Sequence, residues 1–164
     1  MDKPVPLNEV AHDALTTLEL AITDTNARVQ VDDLPTVLGD AAQLSQLFQN
    51  LISNALKFHQ PGVAPQIYVR SQQVAFEELP PTINPTRRVL FYHRIAIIDN
   101  GIGFEEKYLD RIFQVFQRLH GKNHFSGTGI GLAICEKVVA NHGGAITASS
   151  QPDQGATFFI YLPA

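Results

Sequence analysis

The chain has 164 residues, 45% of them hydrophobic, which is enough to bury a core and short enough for one domain. Its formal charge of −4 and sequence pI near 5.8 exclude a general nucleic-acid binder, because affinity for a phosphate backbone needs a basic surface. The single cysteine, Cys135, excludes an intrachain disulfide and a cysteine zinc cluster, and no stretch has the roughly 20 apolar residues of a membrane span or a signal-peptide core, so cytoplasm without membrane contact is the expected setting.

From Leu7 to about Thr25, Leu7, Val10, Ala14, Leu18, Ala21 and Ile22 fall at steps of three and four, which predicts one amphipathic helix opened by Pro6 or Asn8. We read residues 1–26 as a connecting helix ahead of a domain at 27–164, the whole forming one unit. Ala27 to Val31 alternates like a short strand, and Leu34 to Gly39 reads as a connection, with Gly39-Asp40 placed to cap the next helix. That helix runs from Asp40 to about Phe58 and is ended by Pro61-Gly62. Two strands follow, Gln66 to about Phe76 and Val89 to Ile98, separated by a proline-rich segment, Glu77 to Thr86, that reads as an extended mobile loop. A short helix around Glu105 to Phe113, a linker through Gly127, a helix from about Ile130 to Asn141 and closing strands Ala145 to Ser150 and Ala156 to Leu162 complete the chain. Helices in one run and strands in pairs predict an α+β fold, a two-layer sandwich with a mixed sheet and the helices on one face.

Three motifs carry chemistry. On the second helix Leu44, Leu47, Phe48, Leu51, Ile52 and Ala55 make a core stripe, while Gln43, Asn50, Asn54 and Lys57 make a separate polar one. Asparagine is a middling helix former, so two of them one turn apart invite a reason: an amide oxygen ligates a hard cation such as magnesium, and a lysine meets phosphate oxygens. Alone, the stripe fits a solvated helix face equally well. Asp99-Asn100-Gly101-Ile102-Gly103-Phe104 follows the apolar run Ile95 to Ile98, so its acid can accept a hydrogen bond from a ligand's amino group, as adenine offers; alone, it is also good turn chemistry. Gly127-Thr128-Gly129-Ile130-Gly131-Leu132 leads into a helix, where free amides and the helix dipole suit phosphate, or where the glycines form a plain hinge.

In this order and spacing the motifs resemble the catalytic domain of sensor histidine kinases, which shares its ATP-binding fold with gyrase, mismatch-repair and heat-shock chaperone ATPases. The asparagine box corresponds to Asn50–Phe58, the aspartate-glycine box to Asp99–Gly103, the phenylalanine box to Phe113–Phe116 and the second glycine box to Gly127–Gly131. The ending, from Gly143-Gly144 through Gly155 to Leu162-Pro163, is also similar, and Phe116-Gln117-Arg118-Leu119-His120 is most like the phytochrome-type branch.

The resemblance implies ATP and magnesium as ligands, with Asp99 on the adenine amino group, Asn54 and Asn50 holding the metal, and Lys57 on phosphate oxygens. Gly101 and Gly103 would line the nucleotide pocket, Phe58 would lie against the adenine, and Thr157 would contribute through water. Gly127, Thr128, Gly129, Gly131 and Leu132 would border the nucleotide below a lid over 117–126, with Arg118 and Lys122 as its cations. The related ATPases carry a glutamate where this chain has Asn50; an amide cannot activate water, which favours transfer of the γ-phosphoryl group over hydrolysis. The implied partners are a histidine-bearing dimerisation domain outside this chain and a downstream response regulator. His12 is followed by Asp13-Ala14-Leu15-Thr16, unlike the family's acceptor, and reads as a surface residue. Phe113 and Phe116 read as core anchors for the lid, and Cys135 as a buried thiol. The rival readings are a degenerate nucleotide- or partner-binding module, a water-using ATPase of the same fold, and a serine kinase acting on sigma-factor regulators.

Overall fold

The computed structural model describes residues 2–108, 113 and 128–164, with the backbone alone for 108 and 128–130. In chain order its elements are β1 (Lys3–Pro6), α1 (Leu7–Thr17), α2 (Glu19–Thr25), β2 (Arg28–Val31), β3 (Thr36–Gly39), α3 (Ala41–Lys57), β4 (Gln66–Ala75), β5 (Phe91–Asp99), α4 (Thr128–Asn141), β6 (Ala145–Ser150) and β7 (Ala156–Pro163). Single 3-10 turns occupy Phe76–Glu78 and Glu106–Tyr108.

The main sheet has the order β2-β4-β5-β7-β6; β2 lies parallel to β4 and every other pair is antiparallel. Because side chains alternate along a strand, Ile67, Val69, Ile95, Ile97, Phe158 and Ile160 all point to one face. There they join the buried stripes of α1, α3 and α4 in one core. This is the expected two-layer mixed-sheet sandwich. Asp40 caps α3, its side chain accepting from the Gln43 amide at 2.9 Å, and the helix buries the predicted stripe together with Leu56.

The N-terminal segment departs from a simple connecting helix. Lys3–Pro6 pairs with Thr36–Gly39 as a small antiparallel ribbon, so part of the expected connection is strand. Val5, Leu7, Val10, Ala11 and Ala14 enter the same core as the rest of the chain. The predicted continuous helix is divided at Leu18 (φ −95°, ψ 11°). Thr16 and Thr17 are β-branched, and the Thr16 hydroxyl donates back to the His12 carbonyl at 3.2 Å, a combination that weakens and bends a helix end.

The proline-rich segment is also better held than its composition suggests. Phe76, Leu79, Ile83 and Val89 pack on Val74, Tyr92 and Tyr161, covering one end of the sheet face turned away from the helices. The Tyr92 hydroxyl accepts from the Val89 amide and donates to the Arg87 carbonyl. The Thr86 hydroxyl and the Arg87 amide donate to the Ala140 and Gly143 carbonyls. A few apolar residues spaced along a proline-rich stretch suffice to fasten it.

Candidate functional site

Asn54 and Phe58 at the end of α3, Asp99, Ile102, Gly103 and Phe104 after β5, Leu132 in α4, and Ala156 and Phe158 of β7 line one pocket. Segments far apart in sequence, including all three motifs, therefore meet on the helix side of the sheet. The walls are mostly apolar, with one acid and one carboxamide among them, the composition of a small-molecule site.

Asp99 is the last residue of β5, and its Oδ1 accepts from the Gly101 amide at 2.8 Å and the Ala156 amide at 3.2 Å. Burial pushes its carboxyl up to about 6, and the two backbone hydrogen bonds pull in the opposite direction. The group is thus held in place by main chain on both sides and is an acceptor above that range.

The two glycines after it are required by close backbone approach. A Cβ on Gly101 would lie 2.4 Å from the Phe58 carbonyl oxygen, which itself accepts from the Ile102 amide at 2.9 Å. Gly103 has φ +65°, and a Cβ there would lie 2.1 Å from the Gln151 carbonyl oxygen. Gly103 lines the pocket as expected, while Gly101 lets the end of α3 seat against the Asp99 loop instead of lining it. Ser150 fastens the far side, its hydroxyl accepting from the Phe104 amide and donating to the Gly155 carbonyl.

On α3, Asn50 and Asn54 lie one turn apart on the same face. Asn50 Nδ2 donates to the Gly131 carbonyl at a long 3.4 Å, joining α3 to the first turn of α4. Asn54 Nδ2 is buried with no hydrogen-bond partner among the described residues. Such an atom is costly to leave alone, and a half-turn about χ2 would present the oxygen in its place. An orphaned carboxamide facing a pocket, with a second one a turn away, fits a magnesium ion carried on phosphate, whose preferred ligands are oxygens. Lys57 is exposed in the last turn of the same helix.

Gly129, expected just ahead of the last helix, joins Gly131 in its first turn, because α4 begins at Thr128 and not at about Ile130. Leu132 lines the pocket, as does Phe58. Gly127, Arg118, Lys122, Phe116 and the expected lid over 117–126 lie outside the described residues, as do 109–112 of the expected short helix. Phe113 is buried edge-on to Phe158 at 6.1 Å between ring centroids, in the core as expected.

Thr157 is a correction. It pairs with Ile98 across β5 and β7, and both point to the sheet face opposite the pocket. The residue that turns toward the pocket is its neighbour Ala156, which pairs with Asp99 and supplies an amide to it. One step along a strand reverses the face. Phe104 and Phe158, which stand in the quoted motifs without a site role of their own, also line the pocket, and the sequence carries no sign of Gln60, whose side chain bridges the loops around Asp99. The alternation Ala156, Phe158, Ile160 carried the signal for β7, whereas nothing local marked Gln60.

The remaining candidates are structural. His12 is exposed on α1. His142 accepts from the Asp40 amide through Nε2 and bonds the Val138 carbonyl through Nδ1, which makes it a link between α3 and α4. Burial pushes the Cys135 thiol up to about 12, so it stays protonated and unreactive. Among the described residues no cluster of histidine, cysteine and acid could hold a metal ion, and no helix is long and apolar enough to cross a membrane.

Comparison with known proteins gives a consistent result. The sequence pattern of the family described as "Histidine kinase-, DNA gyrase B-, and HSP90-like ATPase" matches residues 39–164. Cyanobacterial phytochrome A of Nostoc sp. (strain PCC 7120) is 42% identical over 150 residues, which span 92% of this chain and 18% of the phytochrome. The adaptive-response sensory kinase SasA of Prochlorococcus marinus (strain MIT 9303) is 34% identical over 96% of this chain and 39% of its own length. The chain therefore spans well under half of these relatives. Among solved structures, the mycobacterial sensor histidine kinase MprB superposes with a TM-score of 0.77 at 29% identity, covering 98% of this chain and 97% of that one.

Proposed function

We propose a function for this chain from one premise: it belongs to the histidine kinase-, DNA gyrase B-, and HSP90-like ATPase family, in its sensor histidine kinase branch. It is the ATP-binding catalytic part of a two-component sensor kinase of the phytochrome type. It passes the γ-phosphoryl group of ATP to a histidine on a dimerisation domain outside this chain, and a response regulator takes the phosphoryl group from there.

The observation that carries this reading is the half-buried Asp99 carboxylate in an apolar pocket that also holds an orphaned asparagine amide. Adenine fits the apolar part, stacked among Phe58, Ile102 and Leu132, with its exocyclic amino group donating to Asp99. The triphosphate then runs toward α3 and the start of α4. There the amides of the first helical turn, at Gly129 and Gly131, attract phosphate oxygens. Asn54 and Asn50 are the side chains that would hold magnesium, which when bound neutralises charge on those oxygens, and Lys57 meets them from the helix end.

Asn50 sets the reaction class. Its amide nitrogen bonds Gly131, and a carboxamide takes no proton from water. The chain supplies position and electrostatics, and the nucleophile is a neutral imidazole nitrogen brought by another domain. As the phosphorus–nitrogen bond forms, the bond to the β-phosphate oxygen breaks and ADP leaves.

Calorimetric titration of ATP, with and without magnesium, into the wild-type chain and Asp99→Asn tests the reading. Magnesium-enhanced binding by the wild type, much weakened in the variant, is the expected result. A folded wild-type chain that takes up no ATP would overturn it in favour of a degenerate partner-binding module.

A further inference from the structure

Gln60 lies two residues beyond the C-cap of α3, and its side chain does not line the nucleotide pocket. Its Nε2 nevertheless donates to three main-chain carbonyls: Asn100 at 3.2 Å, Gly101 at 3.1 Å and Asp153 at 3.0 Å. A carboxamide nitrogen has only two hydrogens, so it is shared among three acceptors on two separate segments. One segment is the loop after Asp99. The other is the turn between β6 and β7, where Asp153 holds a left-handed φ of +62° and donates its amide to the Ile102 carbonyl at 2.6 Å.

These two segments are the ones that hold Asp99. The Gly101 amide comes from the first, and the Ala156 amide follows directly on the second. Asn100 ties the first to the chain beyond Gln60, its side chain accepting from the Gln66 amide and donating to the Ala64 carbonyl. We propose that Gln60 is a positioning residue for adenine recognition: it pins both backbone donors and so fixes the direction in which the Asp99 carboxylate faces the base. This rests on the nucleotide reading above. Gln60 touches no atom of the ligand and acts only through Asp99.

The test uses two nucleotides on the full chain, ATP and purine riboside triphosphate, which lacks the amino group that Asp99 accepts from. Gln60→Met keeps the length of the side chain and removes the donors. It is expected to bind the deamino analogue as the wild type does and to lose most of the preference for ATP, by about tenfold, the worth of one well-aligned hydrogen bond to a charged group. An unchanged preference, or an equal loss for both nucleotides, overturns the proposal, since a general structural role weakens both alike. Should Gln60→Met fail to fold, the wild type decides. Its Gln60 side-chain amide proton signals are expected to shift with ATP and not with the analogue, and equal shifts overturn the proposal. A wild-type chain that bound neither nucleotide would bring down the function itself, whereas ATP preference indifferent to Gln60 removes only this residue's role.

Discussion

The two halves of the pocket are built in opposite ways. Around Asp99, hydrogen bonds to main chain hold the frame: two amides grip the carboxylate, two glycines admit neighbouring carbonyls, and the Gln60 side chain bridges the loops. Around Asn54, side chains stand on one helix face, with one buried amide nitrogen unsatisfied and a long contact from Asn50 to α4. The first half is finished by folding. The second leaves a buried donor open, which suits the proposed site, with the base at one end and the phosphates at the other.

The sharpest way to break this contrast is to add one methyl group to the finished half. Gly103→Ala places a Cβ against the Gln151 carbonyl at a positive φ and is expected to cost roughly 2 to 4 kcal/mol, seen as a lower melting temperature in the absence of ligand. An unchanged melting temperature would mean that the loop is looser than its hydrogen bonds imply.

Asp99→Asn is next, and its two effects have opposite signs. ATP affinity should fall about 10- to 100-fold by calorimetry, because a charged acceptor is lost. Stability should rise at neutral pH. The folded carboxyl titrates near 6, above its unfolded value of 3.8, so burial of the charge penalises the wild type above about pH 6, and the penalty disappears as pH falls from about 6 toward 4. The melting-temperature gap between variant and wild type should therefore be widest above pH 6 and close across that window. Over the same window wild-type ATP affinity should decline as the acceptor takes up a proton.

In the unfinished half, Asn54→Ala removes an unsatisfied buried donor. Ligand-free stability should stay the same or rise slightly, while affinity for ATP with magnesium drops about 3- to 10-fold and affinity without magnesium hardly moves. A clear loss of ligand-free stability would show that Asn54 is part of the frame. The smallest effect is expected on the far face of the sheet. Ile83→Ala should cost about 1 kcal/mol by thermal melting and leave ATP affinity unchanged, since Ile83 packs on the second cluster, away from the pocket.

Much of this molecule is legible along the chain. The stripe of α3, its Asp40 cap and the alternation of the strands follow from periods of 3.6 and 2 and from local turn chemistry, so the α+β architecture can be read directly, whereas Asn54, Phe58, Asp99, Gly103 and Leu132, which the structure brings to one pocket, were marked by the resemblance of the motifs to a known family. Tertiary structure alone decided what depends on neighbours distant in sequence. Thr157 and Ala156 are adjacent residues on opposite faces, and strand register chose between them. Gly101 is needed for the carbonyl of Phe58, 43 positions earlier. Gln60 looked like any polar residue after a helix until three carbonyls from two loops met its amide. Local periodicity fixes which way a side chain points within its own element, but only packing between elements determines what that side chain meets.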